Sequence, residues 1–238
     1  MFRYIITSLL AIGVASAWEA PIYPGYTKVW QDTFSSSFSM QPNLSDWNII
    51  TGDLGVNNEL QVYTSSSANV QLKGWTSGRI ESQYSLTPAN GKITRIEAFI
   101  MFGENLPVNK QEIDVMEAIN GILTGHGTVH CDTCSGGITG TIKIPDQAWH
   151  LWRVEIGRRE PNYQDEAIIW YLDGNQFHKV TGSHLGSPDA WAVLTQSPLF
   201  IIFNVAVGGD WPGYPKSNTL DGYGSRMEVA YVAHYTSI

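Results

Sequence analysis

The run Glu112-Ile113-Asp114-Val115-Met116-Glu117 places three carboxylates within six residues of a chain that carries 22 acids in all. Ile113 and Val115 alternate with Glu112 and Asp114, so in a strand those two acids share one face while the apolar pair meets a core. A regular strand turns Glu117 to the other face. A β-bulge at Val115 or Met116 adds one residue to the count and brings Glu117 round, and bulges are frequent beside active sites. Carboxyls crowded in this way separate in their affinity for protons, because like charges held close oppose full ionisation. One ionised and one protonated carboxyl is the pair that glycosidic bond cleavage requires. Spacing alone leaves a solvated acidic face on an edge strand open as the alternative, and the apolar residues between the acids weigh against it.

Such a strand must be held by a larger β-structure, and the rest of the sequence supplies one. Short apolar or alternating runs are broken by Gly, Pro, Asn and Ser, with no internal repeat and no long amphipathic helical period. Strands are predicted over 78–86, 93–102, 112–118, 128–131, 149–156, 199–207 and 227–235. The run 168–177 carries Asp173-Gly174 between two strand-like halves and predicts a β-hairpin. Many short antiparallel strands without βαβ alternation imply two packed sheets or a barrel.

Charge and composition restrict the partner. The net charge is -8, which disfavours nucleic acid. Nine tryptophans and eleven tyrosines offer flat apolar faces suited to an uncharged polymer. Residues 1–17 join one early cation, Arg3, to an apolar stretch and an Ala15-Ser16-Ala17 pattern, which predicts a signal peptide. The stretch is shorter than the ~20 residues that span a bilayer, so the mature chain is expected to be exported and not held in a membrane. Residues 18–238 then form one domain. Asn43-Leu44-Ser45 is a glycosylation sequon.

Several blocks together resemble glycoside hydrolase family 16, the laminarinase-like endo-β-glucanases, and within it the secreted fungal members. They are Asn57-Asn58-Glu59-Leu60-Gln61-Val62-Tyr63-Thr64, Gly74-Trp75-Thr76-Ser77-Gly78-Arg79-Ile80-Glu81-Ser82, the acid run, Gly127-Thr128-Val129-His130-Cys131, Asn204-Val205-Ala206-Val207-Gly208-Gly209-Asp210-Trp211-Pro212-Gly213 and Leu220-Asp221-Gly222-Tyr223-Gly224-Ser225. The resemblance implies a concanavalin A-like jelly roll, an all-β sandwich of two curved antiparallel sheets with the substrate cleft on the concave face. It implies retention through a covalent glycosyl intermediate, with Glu112 as nucleophile, Glu117 as general acid then base, and Asp114 modulating their protonation. An acidic pH optimum follows from those roles. By the same resemblance Trp211 packs against the sugar, His130 faces the cleft, and Asn58, Trp75 and Arg79 approach the substrate. Arg79 has a plainer alternative, an ion pair with an acid of its own sheet. Relatives carry a Trp-Pro-Ala-Phe-Trp-Met type strand ahead of the acids, whereas this chain runs from Phe102 through 103–111 directly into Glu112.

Cys131 and Cys134 are the two cysteines, and an exported chain pairs them as a disulfide. A zinc set of His126, His130, Cys131 and Cys134 can be assembled, but its spacing departs from common zinc modules. No metal and no cofactor is expected. The expected partner is β-glucan, met by a monomer. An inactive glucan-binding protein of the same fold and a β-glucan transglycosylase are the alternatives.

Overall fold

The computed structural model describes residues 18–35, 41–71, 79–102, 112–219 and 225–238. The signal-peptide region, Trp75, the 103–111 link and most of the block that closes at Ser225 lie outside them. Among the described residues the strands are β1 (Tyr26–Asp32), β2 (Trp47–Ile49), β3 (Arg79–Ser82), β4 (Ile93–Phe102), β5 (Ile113–Glu117), β6 (Thr124–Val129), β7 (Ile138–Lys143), β8 (His150–Gly157), β9 (Ala167–Leu172), β10 (Asn175–Thr181), β11 (Ile202–Asn204) and β12 (Met227–Ser237). A six-stranded sheet runs β1-β12-β4-β8-β9-β10, and its strands pair antiparallel. The opposite layer consists of two three-stranded sheets, β11-β3-β2 and β5-β6-β7. This is the all-β sandwich that the resemblance implied, and it decides between the sandwich and the barrel that the strand pattern left open.

Two hydrophobic clusters join the layers. In one, Trp47 of β2 and Phe203 of β11 pack with Ala98, Trp152 and Val232 of the six-stranded sheet. In the other, Val129 of β6 meets Val154, Ile156, Ile168 and Trp170. Gly125 and Gly127 of β6 are required by the indoles beneath them: an added Cβ would lie 2.3 Å from the Trp152 ring and 2.5 Å from that of Trp170. Their absence of side chain lets β6 settle on the tryptophans, and it turns His126 and Thr128 the other way.

β4 is buried on both faces. Ile96 and Ala98 face the sandwich, while Arg95 and Glu97 face outward beneath the N-terminal segment. Glu97 is 0% exposed, and Tyr23, Tyr231 and Tyr235 all donate to its Oε1 at 3.2–3.4 Å. Tyr235 also donates to the Pro21 carbonyl at 2.8 Å, and Arg95 lies over the rings of Tyr23 and Tyr26.

The hairpin prediction holds: Asp173 and Gly174, with φ of 49° and 81°, join β9 to β10 in the doubly positive conformation that a two-residue hairpin turn favours. Other predicted bounds change. The strand expected over 78–86 is the shorter β3, with Leu86 in an isolated bridge to Leu199, and that expected over 199–207 contracts to β11. Three strands, β1, β2 and β7, were not expected. Nor was the helix α2 (Pro188–Gln196), which follows the short α1 (Gly182–Leu185). Ser187 caps α2 by accepting from the Ala190 amide, and Trp191 anchors it by donating to Glu166 at 2.6 Å. A cavity of about 220 Å³ lies between β5 and β11, backed by Ile96, Ala98, Val154 and Ile156.

Burial holds the Glu97 carboxyl above its ordinary value of 4.5, and the tyrosine hydrogen bonds offset this only in part. The folded chain therefore keeps a proton there that the unfolded chain releases. This contribution to stability is complete below about pH 4.5 and is lost as pH rises through the folded value. Glu97→Gln is expected to flatten the alkaline decline of the melting temperature relative to the unaltered chain; parallel declines measured from pH 5 to 9 by circular dichroism would contradict this.

Candidate active site

The acid strand carries the predicted bulge. Ile113 pairs with Val129 and Asp114 with Thr128, and the register then slips so that Glu117 pairs with His126. Two residues of β6 are thereby matched against three of β5, and Glu117 joins the face of Glu112 and Asp114. Beneath the slip, the buried Trp170 indole donates to the Asp114 carbonyl at 2.7 Å. The strand is fixed at its start by the His130 amide, which donates to the Glu112 carbonyl at 3.0 Å.

Each acid has its own surroundings. The Glu112 and Asp114 carboxyls share a hydrogen bond, and Nε2 of His130 lies 3.1 Å from Asp114 Oδ2. Glu117 Oε2 accepts from the Thr128 hydroxyl at 3.2 Å, and Thr128 in turn contacts the Thr139 hydroxyl at 3.0 Å. The other oxygen, Oε1, is buried and has no protein partner among the described residues, which leaves it available to a ligand. Burial pushes Glu112 up to about 8, with the Asp114 charge adding to the rise. Burial likewise pushes Glu117 up to about 7, against the lowering effect of the Thr128 bond. Asp114 is raised by burial although the His130 bond pulls it down, and that same bond raises His130. The cluster therefore retains protons near neutrality, which is the condition for holding an acid and a base together.

Across the cleft stands Trp211, 46% exposed. Its loop is tied down at three places. The Asp210 amide donates to the Asn57 carbonyl at 2.9 Å, Asn58 Nδ2 donates to Asp210 Oδ1 at 2.8 Å, and Asn120 Nδ2 donates to the Pro212 carbonyl at 2.9 Å. The Trp211 ring meets that of His126 edge to face, with centroids 5.1 Å apart and planes at 86°. A chamber of about 450 Å³ is lined by Glu117, His126, Thr128, His130 and Trp211.

The structure thus gathers Glu112, Asp114, Glu117, His130 and Trp211. Asn58 acts through Asp210 on the tryptophan loop. Arg79 takes the plainer role, pairing with Glu81 at 2.8 Å, yet it borders the cavity beside Glu112 and its charge lowers that carboxyl. Cys131 and Cys134 form the expected disulfide, so their sulfurs are not free to join His126 and His130 around a zinc ion. Asp114, Glu117 and His130 bring one donor atom each to within 4.8 Å of one another. The His130 and Thr128 contacts account for that gathering without a cation. Sequence reasoning gave no cleft role to Thr128, Asn120 or Asp210, and considered His126 only for zinc. The period of two in β6 does place positions 126, 128 and 130 on one face, and that was the available signal.

Comparison with known proteins agrees with this geometry. No family model matches the chain. It is similar to the clotting factor G alpha subunit of Tachypleus tridentatus, 26% identical over 89% of this chain but 34% of that protein. It is also similar to the beta-glucanase of Rhodothermus marinus, 24% identical over 98% of this chain and 93% of that one. The crystal structure of an endo-1,3-beta-glucanase from Streptomyces sioyaensis superposes with a TM-score of 0.80 at 26% identity, covering 92% of this chain and 99% of that one. This chain matches the two glucanases over nearly the whole of both lengths. It shares their jelly-roll sandwich, although it spans about a third of the clotting factor subunit.

Because the Thr128 bond stabilises ionised Glu117, its removal must raise that carboxyl further. In Thr128→Val the protonated-carboxyl infrared band assigned by its loss in Glu117→Gln is expected to persist to higher pH; a band that disappears at the same or lower pH would refute the role.

Proposed function

We propose that this chain hydrolyses the internal linkages of a β-1,3- or mixed β-1,3/1,4-glucan with retention of configuration. The observation that carries the reading is the bulged β5, which sets three carboxyls on one face beside the chamber under Trp211. Ionised Glu112 attacks the anomeric carbon while Glu117 gives its proton to the departing oxygen, forming a glycosyl ester and a free sugar hydroxyl. Glu117, now ionised, takes a proton from water, whose oxygen displaces Glu112 and releases the second product. Asp114 shares a hydrogen bond with Glu112 in the resting site and lies 3.1 Å from His130 Nε2, so it steadies the nucleophile as charge moves. Trp211 offers an apolar face to the sugar ring. The mechanism calls for no group from a second chain, and action as a monomer is part of the proposal. The leader sequence at 1–17 supports export, with action outside the cell or at a cell wall; among the described residues no helix is long and apolar enough to cross a membrane.

A second reading, glucan binding with little turnover, is favoured by the cavity between β5 and β11. Among the described strands β5 pairs with β6 alone, and looseness there would cost much of the positioning on which rate depends.

Glu112→Gln and Glu117→Gln are each expected to lower reducing-sugar release from laminarin by at least about a hundred-fold while binding persists. Binding without release by the unaltered, folded protein would favour the second reading.

The roles alone suggested an acidic optimum, and the burial of the cluster moves it. With Glu112 raised to about 8 and Glu117 to about 7, Glu117 ionises first, so the reactive form, with Glu112 ionised and the proton on Glu117, is the minor one-proton form and is fullest between the two values. Below that range both are protonated and no nucleophile exists; above it both are ionised and no acid remains. A bell-shaped kcat/KM centred near neutral pH is expected, and a profile still rising above about pH 9 would exclude the assignment.

A further inference from the structure

We propose that His126 is a sugar-binding and positioning residue, which holds the Trp211 indole at its working angle and hydrogen-bonds a glucan hydroxyl in the chamber beside Glu117. This rests on the reading of that chamber as a sugar site. His126 lies on β6 directly across from Glu117, between two glycines whose open Cβ sides receive Trp152 and Trp170. Those indoles occupy the core face of β6, so the imidazole stands on the cleft face, where it borders the chamber and meets Trp211 at 5.1 Å.

Its hydrogen bonding separates it from the other histidines of the chain. His150 meets Asp173, His178 meets the Ile138 carbonyl, His184 meets Thr181, His234 meets Tyr84, and His130 meets Asp114. The half-buried His126 ring has no hydrogen bond among the described residues, and its contact there is the Trp211 ring. Burial lowers its affinity for a proton, so the ring is neutral, with one nitrogen donating and the other accepting. A sugar hydroxyl also donates and accepts, and a half-buried polar ring gains most from a ligand that satisfies it. A histidine retained only for packing would turn its nitrogens to protein partners, as the other five do.

The test compares His126→Ala and His126→Phe, each in the Glu112→Gln background, by calorimetric titration with laminarihexaose. The Ala change removes both the ring contact and the hydrogen bond, and is expected to weaken binding about ten-fold or more; Phe keeps the contact and should recover part of the loss. Combined with Trp211→Ala, the losses should fall short of additive, because one residue acts partly through the other. In otherwise unaltered protein His126→Ala should raise KM for laminarin with kcat within about three-fold, the signature of binding lost in ground and transition states alike. Thermal unfolding verifies that each variant is folded. An affinity unchanged within two-fold in the Ala variant would overturn the proposal, and full recovery by Phe would overturn its hydrogen bond. If the Glu112→Gln parent binds no laminarihexaose and the unaltered protein releases no sugar, the sugar-site reading itself fails, an outcome distinct from normal binding that ignores His126.

Discussion

A strand alternates faces, so three acids in six residues reach one surface only where the alternation is interrupted. The slip between Asp114 and Glu117 makes that interruption, and the remainder of the site is arranged around it. A bulge weakens the ladder locally and must be supported from elsewhere. Support comes from below, where the Trp170 indole holds the Asp114 carbonyl, and from the side, where β6 settles between the same indole and the acids. The glycines of β6 are consequently part of the geometry of the acid cluster although they carry no side chain. With side chains at those positions the indoles could not rise under β5.

The electrostatics follow from the same packing. Carboxyls carried on a strand seated over a hydrophobic cluster lose water, and loss of water opposes ionisation more strongly than any single neighbour does here. Partners then distinguish the members of the cluster. Asp114 leans on His130 and on Glu112, whereas Glu117 receives one hydroxyl and keeps one oxygen open. A common environment sets the proton affinity of the group, and local contacts distribute the protons within it.

Local pattern carried much of this. The alternation of Ile113 and Val115 with the acids, the Asp173-Gly174 turn and the neighbouring cysteines each express their structure within a few residues, and each appears as read. β6 was only partly legible, because Gly125 and Gly127 lower strand propensity and their reason for being there is a pair of tryptophans distant in sequence. β1 was hidden by inverted patterning: Val29 faces solvent, while Lys28 reaches back to the Ala20 carbonyl. The nine residues of α2 are too few to establish a helical period. His126 was read only as a member of a zinc set, because its meeting with Trp211 depends on how two separate sheets are brought together, which no local window contains.

That division of the layer has a bearing on how such a chain can diverge. The acids and their hydroxyl and imidazole partners all belong to β5, β6, β7 and the residues flanking them, while Trp211, Asn57 and Asn58 belong to loops associated with β11 and β3. The acid cluster and the tryptophan loop thus belong to separate pieces of the fold. Substitutions can accumulate in the loop without disturbing the acids. Contacts that cross between the pieces, such as His126 to Trp211 and Asn120 to Pro212, are where such drift is constrained.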